Sequence, residues 1–193
     1  IMAFVRDSSQ IKLDLHLEDR FVDLVEEGFD VAVRVSELAD SSLIARRLAP
    51  LRMVVAASPG RIAASGRPLQ PGELSDLPCV IDSNARWRAN WGFVVDGVRQ
   101  TVPVKGRVEA NSPTAVKMAA LEGIGYAMLP YAVAREEILS GALEVVLDDF
   151  ACDGAAIYAV YPHRRHLSAK VRTFVDHLAA WFAEPANLEA IGG

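Results

Sequence analysis

Residues 111–130, NSPTAVKMAALEGIGYAMLP, contain the start of a helix, its end and the strand that follows. Asn111 or Ser112 can cap a helix at its amino end, and Pro113 suits the first helical position. Two glycines then precede the apolar run YAMLP, which is typical of a buried strand. Because GRVEAN before the helix also has strand character, the stretch predicts a strand–helix–strand unit of an α/β protein.

The predicted helix over 113–123 has two different sides. At roughly 100° per residue its small residues share one side and suit close packing on a sheet; these are Ala115, Val116, Ala119, Ala120 and Gly123. The other side carries Lys117, Leu121, Met118 and Glu122 in angular order, so two large apolar groups lie between two charges. Either another part of the chain covers these apolar groups, or they bind a partner, most simply a second copy of the chain.

Strands and helices alternate along the rest of the sequence. IKLDLHL (11–17) and DVAVRV predict strands, and FVDLVEEGF (21–29) predicts a helix that Gly28 can end. Two strands broken near Pro50 and a short helix opening at Ser58-Pro59 are predicted next. This alternation predicts α/β layering with mostly parallel sheets.

Three further features complete the prediction. Residues 65–79, rich in glycine, proline and serine, are the best candidate for a linker. NWGFVVDGVRQTVPV predicts a hairpin around Asp96-Gly97. LSAKVRTFVDHLAAWFAE predicts a long helix capped by Ser168, with His177 on its polar side.

The composition is that of a globular protein with a full core. Hydrophobic residues make up 51% of the chain, the net charge is −5 and the pI is about 5.4. A phosphate-backbone binder usually has a concentrated basic surface, so this balance argues against direct nucleic-acid binding. No apolar run is long enough to span a bilayer, and a membrane partner is not expected. Cys79 and Cys152 lack CxxC spacing, Cys79 is expected to be a buried small hydrophobe, and a reducing cytoplasm is the default compartment.

The sequence gives little support to catalysis. No nucleophile, base and orienting residue come together in a known arrangement, and no cofactor motif is complete. His163 and His166 flank two arginines, which would repel a metal cation. We therefore expect no catalytic residues, no metal and no cofactor.

Polar loops follow three of the predicted strands. Ser36 follows the strand at 30–35, Ser83 and Asn84 follow CVID, and Asn111 and Ser112 follow GRVEA. Each is consistent with an ordinary helix cap. All three occupy the same topological position, however, and open α/β sheets form ligand crevices at the carboxyl ends of their strands. A shared ligand cleft is therefore the favoured interpretation, with helix N–H groups suited to a carboxylate or another anion.

A longer series of segments resembles the effector-binding domain of LysR-type transcriptional regulators. The similarity covers about residues 11–184 in unbroken order and includes DLHLEDRFVDLVEEGFDVAVRVSELADSSLIARRLAPLRMVVAASP, LSDLPCVI, VEANSPTAVKMAALEGIGYAMLP and AIYAVYPHRRHLSAKVRTFVDHL. Single segments such as GIGYAMLP are moderately specific, whereas the ordered series is highly specific.

The resemblance implies a fold of two Rossmann-like α/β subdomains, similar to type II periplasmic binding proteins. Two crossover strands would join the subdomains, with an effector cleft between them. The first subdomain would take residues 1–77 and 155–193, and the second residues 78–154. The linker candidate, in PLQPGELSDLP, would then lie at the first crossover.

The resemblance also implies roles for individual residues. The effector-lining loops correspond to Ser36 and Glu37, Ser83 and Asn84, and Asn111 and Ser112, with Tyr126 and Met128 on the following strand also expected to face the cleft. Trp87 and Trp91 would form an aromatic wall, although Trp91 suits the core equally well. Arg86 and Arg88 would attract an anionic effector or be solvated loop charges. The family pairs these domains side by side, which assigns a dimer interface to Lys117, Met118, Leu121 and Glu122.

The function implied is ligand sensing in a cytoplasmic transcriptional regulator, without catalysis. The effector would be a small organic acid or aromatic compound, and the domain would form homodimers, with tetramers possible in the full-length protein. DNA binding would belong to an N-terminal winged helix-turn-helix that this sequence does not contain. IMAFVRDS resembles the end of the family's first regulatory-domain helix, so the preceding strand is expected upstream. The alternatives are a solute-binding protein of a transport system with the same fold and, less favoured, an enzyme.

Overall fold

The chain folds into two units that are connected at two points. The computed structural model describes residues 1–20, 22–36, 43–85, 87–151, 155–162 and 168–192. One unit comprises Ile1–Leu51 with Gly154–Gly193, and the other comprises Arg52–Asp153. Next to the two connections, the Leu51 N–H donates a 3.0 Å hydrogen bond to the Ala155 carbonyl.

Helices and strands alternate over most of the described residues. In chain order they are α1 (Met2–Asp7), β1 (Ala32–Ser36), β2 (Leu43–Pro50), β3 (Met53–Ala57), α2 (Pro59–Ser65), a 3₁₀ helix (Pro71–Asp76), β4 (Pro78–Asp82), β5 (Asn90–Val95), β6 (Val98–Pro103), β7 (Lys105–Ala110), α3 (Pro113–Leu121), β8 (Tyr126–Pro130), α4 (Tyr131–Leu139), β9 (Glu144–Val146), a second 3₁₀ helix (Asp148–Phe150), β10 (Ala156–Pro162), α5 (Ala169–Ala183) and α6 (Pro185–Ala190). None of the helices in this set has the length and apolarity needed to cross a membrane.

Strand β10 is the centre of the first unit. It pairs antiparallel with β1 on one side and with β2 on the other. Alternate side chains leave the two faces of the sheet: Ala159 and Tyr161 pack with Val171 and Val175 of α5. On the opposite face of the sheet, Ala156, Tyr158 and Val160 of β10 pack around Leu24. Six of the seven residues of β10 are buried, which explains its continuous apolar sequence.

The second unit is a three-layer arrangement around a five-stranded sheet in the order β7-β4-β8-β3-β9. Strand β4 runs parallel to β7 and β8, whereas β3 is antiparallel to β8 and β9. One face is covered by helices α3 and α4, with Val116 and Ala120 buried against Leu129. The hairpin β5–β6 and the first 3₁₀ helix cover the other face, where Trp91 and Leu74 join the core.

Several predictions from the sequence are confirmed at the level of elements. The fold is α/β, Ser58 caps α2, Ser168 caps α5, and the hairpin turns at Asp96-Gly97 with both residues at positive φ. The prediction of mostly parallel sheets is wrong, because the first sheet is antiparallel and the second is mixed. Alternation along the chain does not specify sheet neighbours, and β3 pairs with the later strands β8 and β9.

Two predictions near the amino end are also wrong. Residues 11–17 form no strand, because alternation alone supplies no pairing partner and they join no ladder among the described residues. Residues 24–28 form a turn instead of a helix. The Asp23 carboxylate accepts the N–H groups of Val25 and Glu26 at 2.9 and 3.0 Å, and such side-chain bonds compete with helix formation.

The first connection between the units lies earlier than the sequence predicted. Residues 52–77 were assigned to the first subdomain, but β3 pairs with β8 and β9 of the second unit. The linker candidate also belongs to the second unit, where Pro71 and Leu74 of the 3₁₀ helix are buried. The return connection at Asp153/Gly154 lies one residue from the predicted position.

Two glycines allow the parallel strands to approach the start of β4 closely. A Cβ atom on Gly125 would lie 2.6 Å from the Pro78 carbonyl oxygen, and one on Gly106 would overlap the Cys79 carbonyl oxygen. Gly106 also faces an irregularity in the β4–β7 register between Pro78 and Val80. No side chain fits at either position without moving the backbone of β4.

Gly125→Ala should therefore lower the free energy of unfolding by about 1–3 kcal/mol, because the added methyl group forces a buried strand to shift. The matched control is Gly60→Ala in α2, where no atom lies within 4 Å of the added Cβ. Urea unfolding of both variants measures the difference. Equal stability of Gly125→Ala and the wild type would contradict the close approach.

Candidate functional site

The polar loops of the second unit meet at one edge of its sheet. Strands β4 and β7 are parallel, and their last residues, Asp82 and Ala110, are opposite each other. The Ser83 N–H donates to the Ala110 carbonyl at 2.9 Å and so extends the pairing into the loops. The carboxyl end of a parallel strand pair is where open α/β sheets bind ligands.

Asn84 connects the two loops directly. Its side-chain Nδ2 donates to the Asn111 carbonyl at 2.8 Å. The loop that holds Asn84 is shaped by Asp82, whose Oδ1 accepts the N–H groups of Asn84 at 2.9 Å and Ala85 at 3.3 Å. Asp82 was not among the predicted site residues. The sequence does carry the signal, because an aspartate at a strand end followed by Ser-Asn is typical of an Asx turn.

Helix α3 begins at this edge with unused hydrogen-bonding groups. Ser112 is the N-cap residue in an extended conformation, yet its hydroxyl makes no capping hydrogen bond. Pro113 has no N–H, and Val116 bonds to the Ser112 carbonyl. The N–H groups of Thr114 and Ala115 therefore have no acceptor within the part of the chain that the structure describes. Such an edge suits a ligand that brings a carboxylate or another acceptor.

The structure places Tyr126 in the core instead of at this edge. Its side chain is fully buried, and its hydroxyl donates to the Gly66 carbonyl. Burial is the largest influence on the Tyr126 hydroxyl and raises its pKa. Met128 is partly buried and packs against the same core cluster. The expectation that both side chains face a ligand is wrong for Tyr126, because its side chain is fully buried under the hairpin. Met128 leaves the same side of β8 but is only partly buried.

The remaining predicted residues are distributed between the two units. Ser36 is the last residue of β1 in the first unit, and Glu37 and Arg86 lie outside the described residues. Trp91 is fully buried and its Nε1 donates to the Arg88 carbonyl at 3.1 Å, which supports its core role. Trp87 is partly buried against the same cluster, and the exposed Arg88 lies 3.5 Å from Glu109.

Most of the chain is similar to known proteins. The family model described as LysR substrate binding domain matches residues 1–183. The chain belongs to the LysR substrate-binding-domain family. The prediction of a LysR-type domain with a fold similar to type II periplasmic binding proteins is thereby confirmed.

Individual relatives agree with this family. The HTH-type transcriptional regulator DmlR of Escherichia coli K12 is 35% identical over 185 residues, which cover 95% of this chain and 60% of DmlR. The HTH-type transcriptional regulator PtxR of Pseudomonas aeruginosa is 32% identical over 176 residues, covering 91% of this chain and 56% of PtxR. The chain thus spans little more than half the length of these two regulators.

A solved member of the family has a similar fold. The full-length structure of the Vibrio cholerae virulence activator AphB, described as a member of the LTTR protein family, superposes with a TM-score of 0.77 at 28% identity. The match covers 93% of this chain and 61% of AphB. Because the family and its relatives are regulators, they give no support to an enzymatic activity.

The outer face of α3 in this LysR-family chain is only partly free. The Lys117 ammonium lies 2.6 Å from the Glu137 carboxylate of α4, with 18% and 21% of the two side chains exposed. Leu121 packs partly against the core of the second unit. Met118 is 61% exposed, and Glu122 is exposed at the end of the helix. Leu121 and Met118 are the two large apolar side chains of this face. The chain itself partly covers Leu121, whereas Met118 is exposed to solvent.

The Lys117–Glu137 pair makes stability depend on pH. The hydrogen bond from Lys117 lowers the pKa of Glu137, against a smaller opposing effect of burial. The carboxylate therefore stabilises the fold above its pKa in the unfolded chain, about 4.3, and loses this contribution as pH falls through the lower folded pKa. Glu137→Gln should cost roughly 1 kcal/mol at pH 7 and progressively less below pH 4.

Urea unfolding at several pH values measures this difference. Glu136→Gln is the matched control, because Glu136 is an exposed neighbour on α4 whose carboxylate makes no ion pair among the described residues, and it should behave as wild type. A cost of Glu137→Gln that stays constant from pH 7 to pH 3 would show that the charge of Glu137 contributes nothing.

Proposed function

We propose that the chain is the effector-binding domain of a LysR-type transcriptional regulator. The observation that carries the proposal is the polar edge of the second unit, where Asn84 ties one loop to Asn111 and α3 leaves N–H donors free. Membership of the LysR substrate-binding-domain family supports it, as do relatives named HTH-type transcriptional regulators.

The effector-contacting residues in this proposal are the polar residues that the sequence predicted at the ends of three strands. Ser83, Asn84, Asn111 and Ser112 belong to the second unit, and Ser36 and Glu37 are retained in the proposal from the sequence prediction. Met128 is kept among the proposed contacts because, unlike Tyr126, its side chain is only partly buried. Hydroxyl, amide and helix N–H donors together suit a small organic acid, with or without an aromatic ring.

The proposed mechanism is a shift between conformational states. An effector that binds one state more tightly than another raises the population of that state. The change would be passed to DNA by an N-terminal helix-turn-helix domain of the kind that the relatives' names describe. The domain would work in the cytoplasm, without a cofactor and without catalysing a reaction. A transport solute-binding role is not favoured, since the relatives are named as regulators.

Effector binding can be tested with Ser112, because its hydroxyl makes no capping bond that the substitution would remove. A panel of aliphatic and aromatic acids is first screened by thermal shift, where a ligand at a hundred times its Kd adds about 2.7 kcal/mol of stability. Ser112→Ala should then raise the Kd of the hit about tenfold, the usual effect of losing one hydrogen bond to a charged group, and leave unliganded stability unchanged.

The matched control is Ser58→Ala. The Ser58 hydroxyl accepts the Arg61 N–H at 3.4 Å and caps α2, so its loss should lower stability by about 1 kcal/mol without changing the Kd. The effector role is contradicted if the panel gives no hit with the full-length protein, or if Ser112→Ala binds the hit as tightly as Ser58→Ala does.

The domain is also proposed to pair with a second copy through the outer face of α3. Met118 is the main contact in this proposal because it is the large apolar side chain that α3 leaves exposed, and Lys117, Leu121 and Glu122 surround it. An exposed apolar side chain between charges is typical of a small interface with a polar rim.

Met118→Glu should therefore abolish self-association and leave the monomer folded, since the side chain is already 61% exposed in the single chain. Val98→Glu is the matched control, because Val98 is 62% exposed at the tip of the hairpin and outside the proposed interface. Light scattering measures the molar mass of each variant. Dimers that persist in Met118→Glu would exclude α3 as the interface.

A further inference from the structure

A second concave region of the second unit lies at the opposite edge of the same sheet. It is an open cavity of about 600 Å³ between the start of β4, the start of β7 and the turn before β8. Three of its lining side chains are cationic: Arg61, Lys105 and Arg107. The lining contains no carboxylate, although the chain as a whole has a net charge of −5.

Arg61 is held in a fixed position at this cavity. Its Nε donates to the Gly123 carbonyl at 2.7 Å, and its Nη1 donates to the Ser65 hydroxyl at 3.0 Å. These two bonds use Nε and Nη1 and leave Nη2 without an acceptor among the described residues. A guanidinium that is oriented before binding loses less conformational entropy when it takes up an anion.

Lys105 and Arg107 provide the other two charges from β7. They lie on either side of Gly106, at the irregularity in the β4–β7 register, and both line the cavity. Both are exposed and neither has an ion-pair partner within the described residues, in contrast to Arg88, which lies next to Glu109. Asp76 and Glu122 are close to the lining residues in sequence, but neither lines the cavity.

We infer that this cavity binds a small phosphate-bearing anion, at a site separate from the effector edge. Arginine and lysine bind phosphate oxygens through charge-assisted hydrogen bonds, and converging cations without a neighbouring carboxylate favour an anion of more than one charge. Gly106 lies between the two β7 cations, and the close packing of its backbone on Cys79 holds the strand that carries them. Strands β4 and β7 run from this cavity to the edge formed by Asp82 and Ala110.

The test measures binding of inorganic pyrophosphate to the protein by titration calorimetry at constant ionic strength. The expected result is saturable binding with one pyrophosphate per chain, weakened at least tenfold by the double substitution Lys105→Gln and Arg107→Gln. Arg172→Gln is the matched control, because it removes an exposed cation of α5 outside the cavity and should leave the affinity unchanged. Both variants are checked for wild-type melting temperatures.

Amide chemical shifts locate the bound anion independently of the effector. Pyrophosphate should perturb residues 105–107 and leave residues 111–115 unaffected. Absence of saturable binding overturns the inference, and so does an equal loss of affinity in Arg172→Gln. Shifts confined to residues 111–115 also overturn it, but they would leave the proposed effector site in place, so the two proposals fail in distinguishable ways.

Discussion

The close backbone contact between the start of β4 and its two parallel neighbours governs the geometry of the second unit. Gly106 on one side and Gly125 on the other allow β7 and β8 to approach Pro78 and Cys79 without a side chain between them. Beyond this contact the β4–β7 register shifts by one residue and then places Asp82 opposite Ala110. The loops that follow are then close enough for the Asn84 amide to reach the Asn111 carbonyl. The polar edge therefore depends on two residues that contribute no functional group.

Helix α3 shows how one short segment serves several purposes. Its small residues pack on the sheet, and its amino end, opened by Pro113 and an uncommitted Ser112 hydroxyl, presents donors at the polar edge. Lys117 joins it to α4 through a mostly buried ion pair, while Met118 stays exposed. These uses do not compete, because they involve different sides and ends of the helix. A helix with a single apolar stripe would support the core but could not combine these contacts.

The sequence predicted local elements better than it predicted their neighbours. Caps such as Ser58 and Ser168 and the Asp96-Gly97 turn are determined by bonds between residues a few positions apart, so short motifs identify them. Pairing of β3 with β8 and β9 joins distant segments, and no local pattern specifies it. The same limit explains the misplaced domain boundary near residue 77. In the site, strand-end loops were predictable from topology, whereas the side of β8 that Tyr126 faces depends on which layer covers each side of the sheet.

The position of β10 has a consequence for how the chain is made. The second unit is one continuous segment, so a ribosome delivers all of its strands before residue 154 emerges. The first unit begins earlier but lacks its central strand until residues 156–162 have been translated. Its amino-terminal half, including strands β1 and β2, must wait without its central strand during that interval. Nascent chains should therefore acquire protease resistance in residues 52–153 first, and the unit that contains β10 should mature after it.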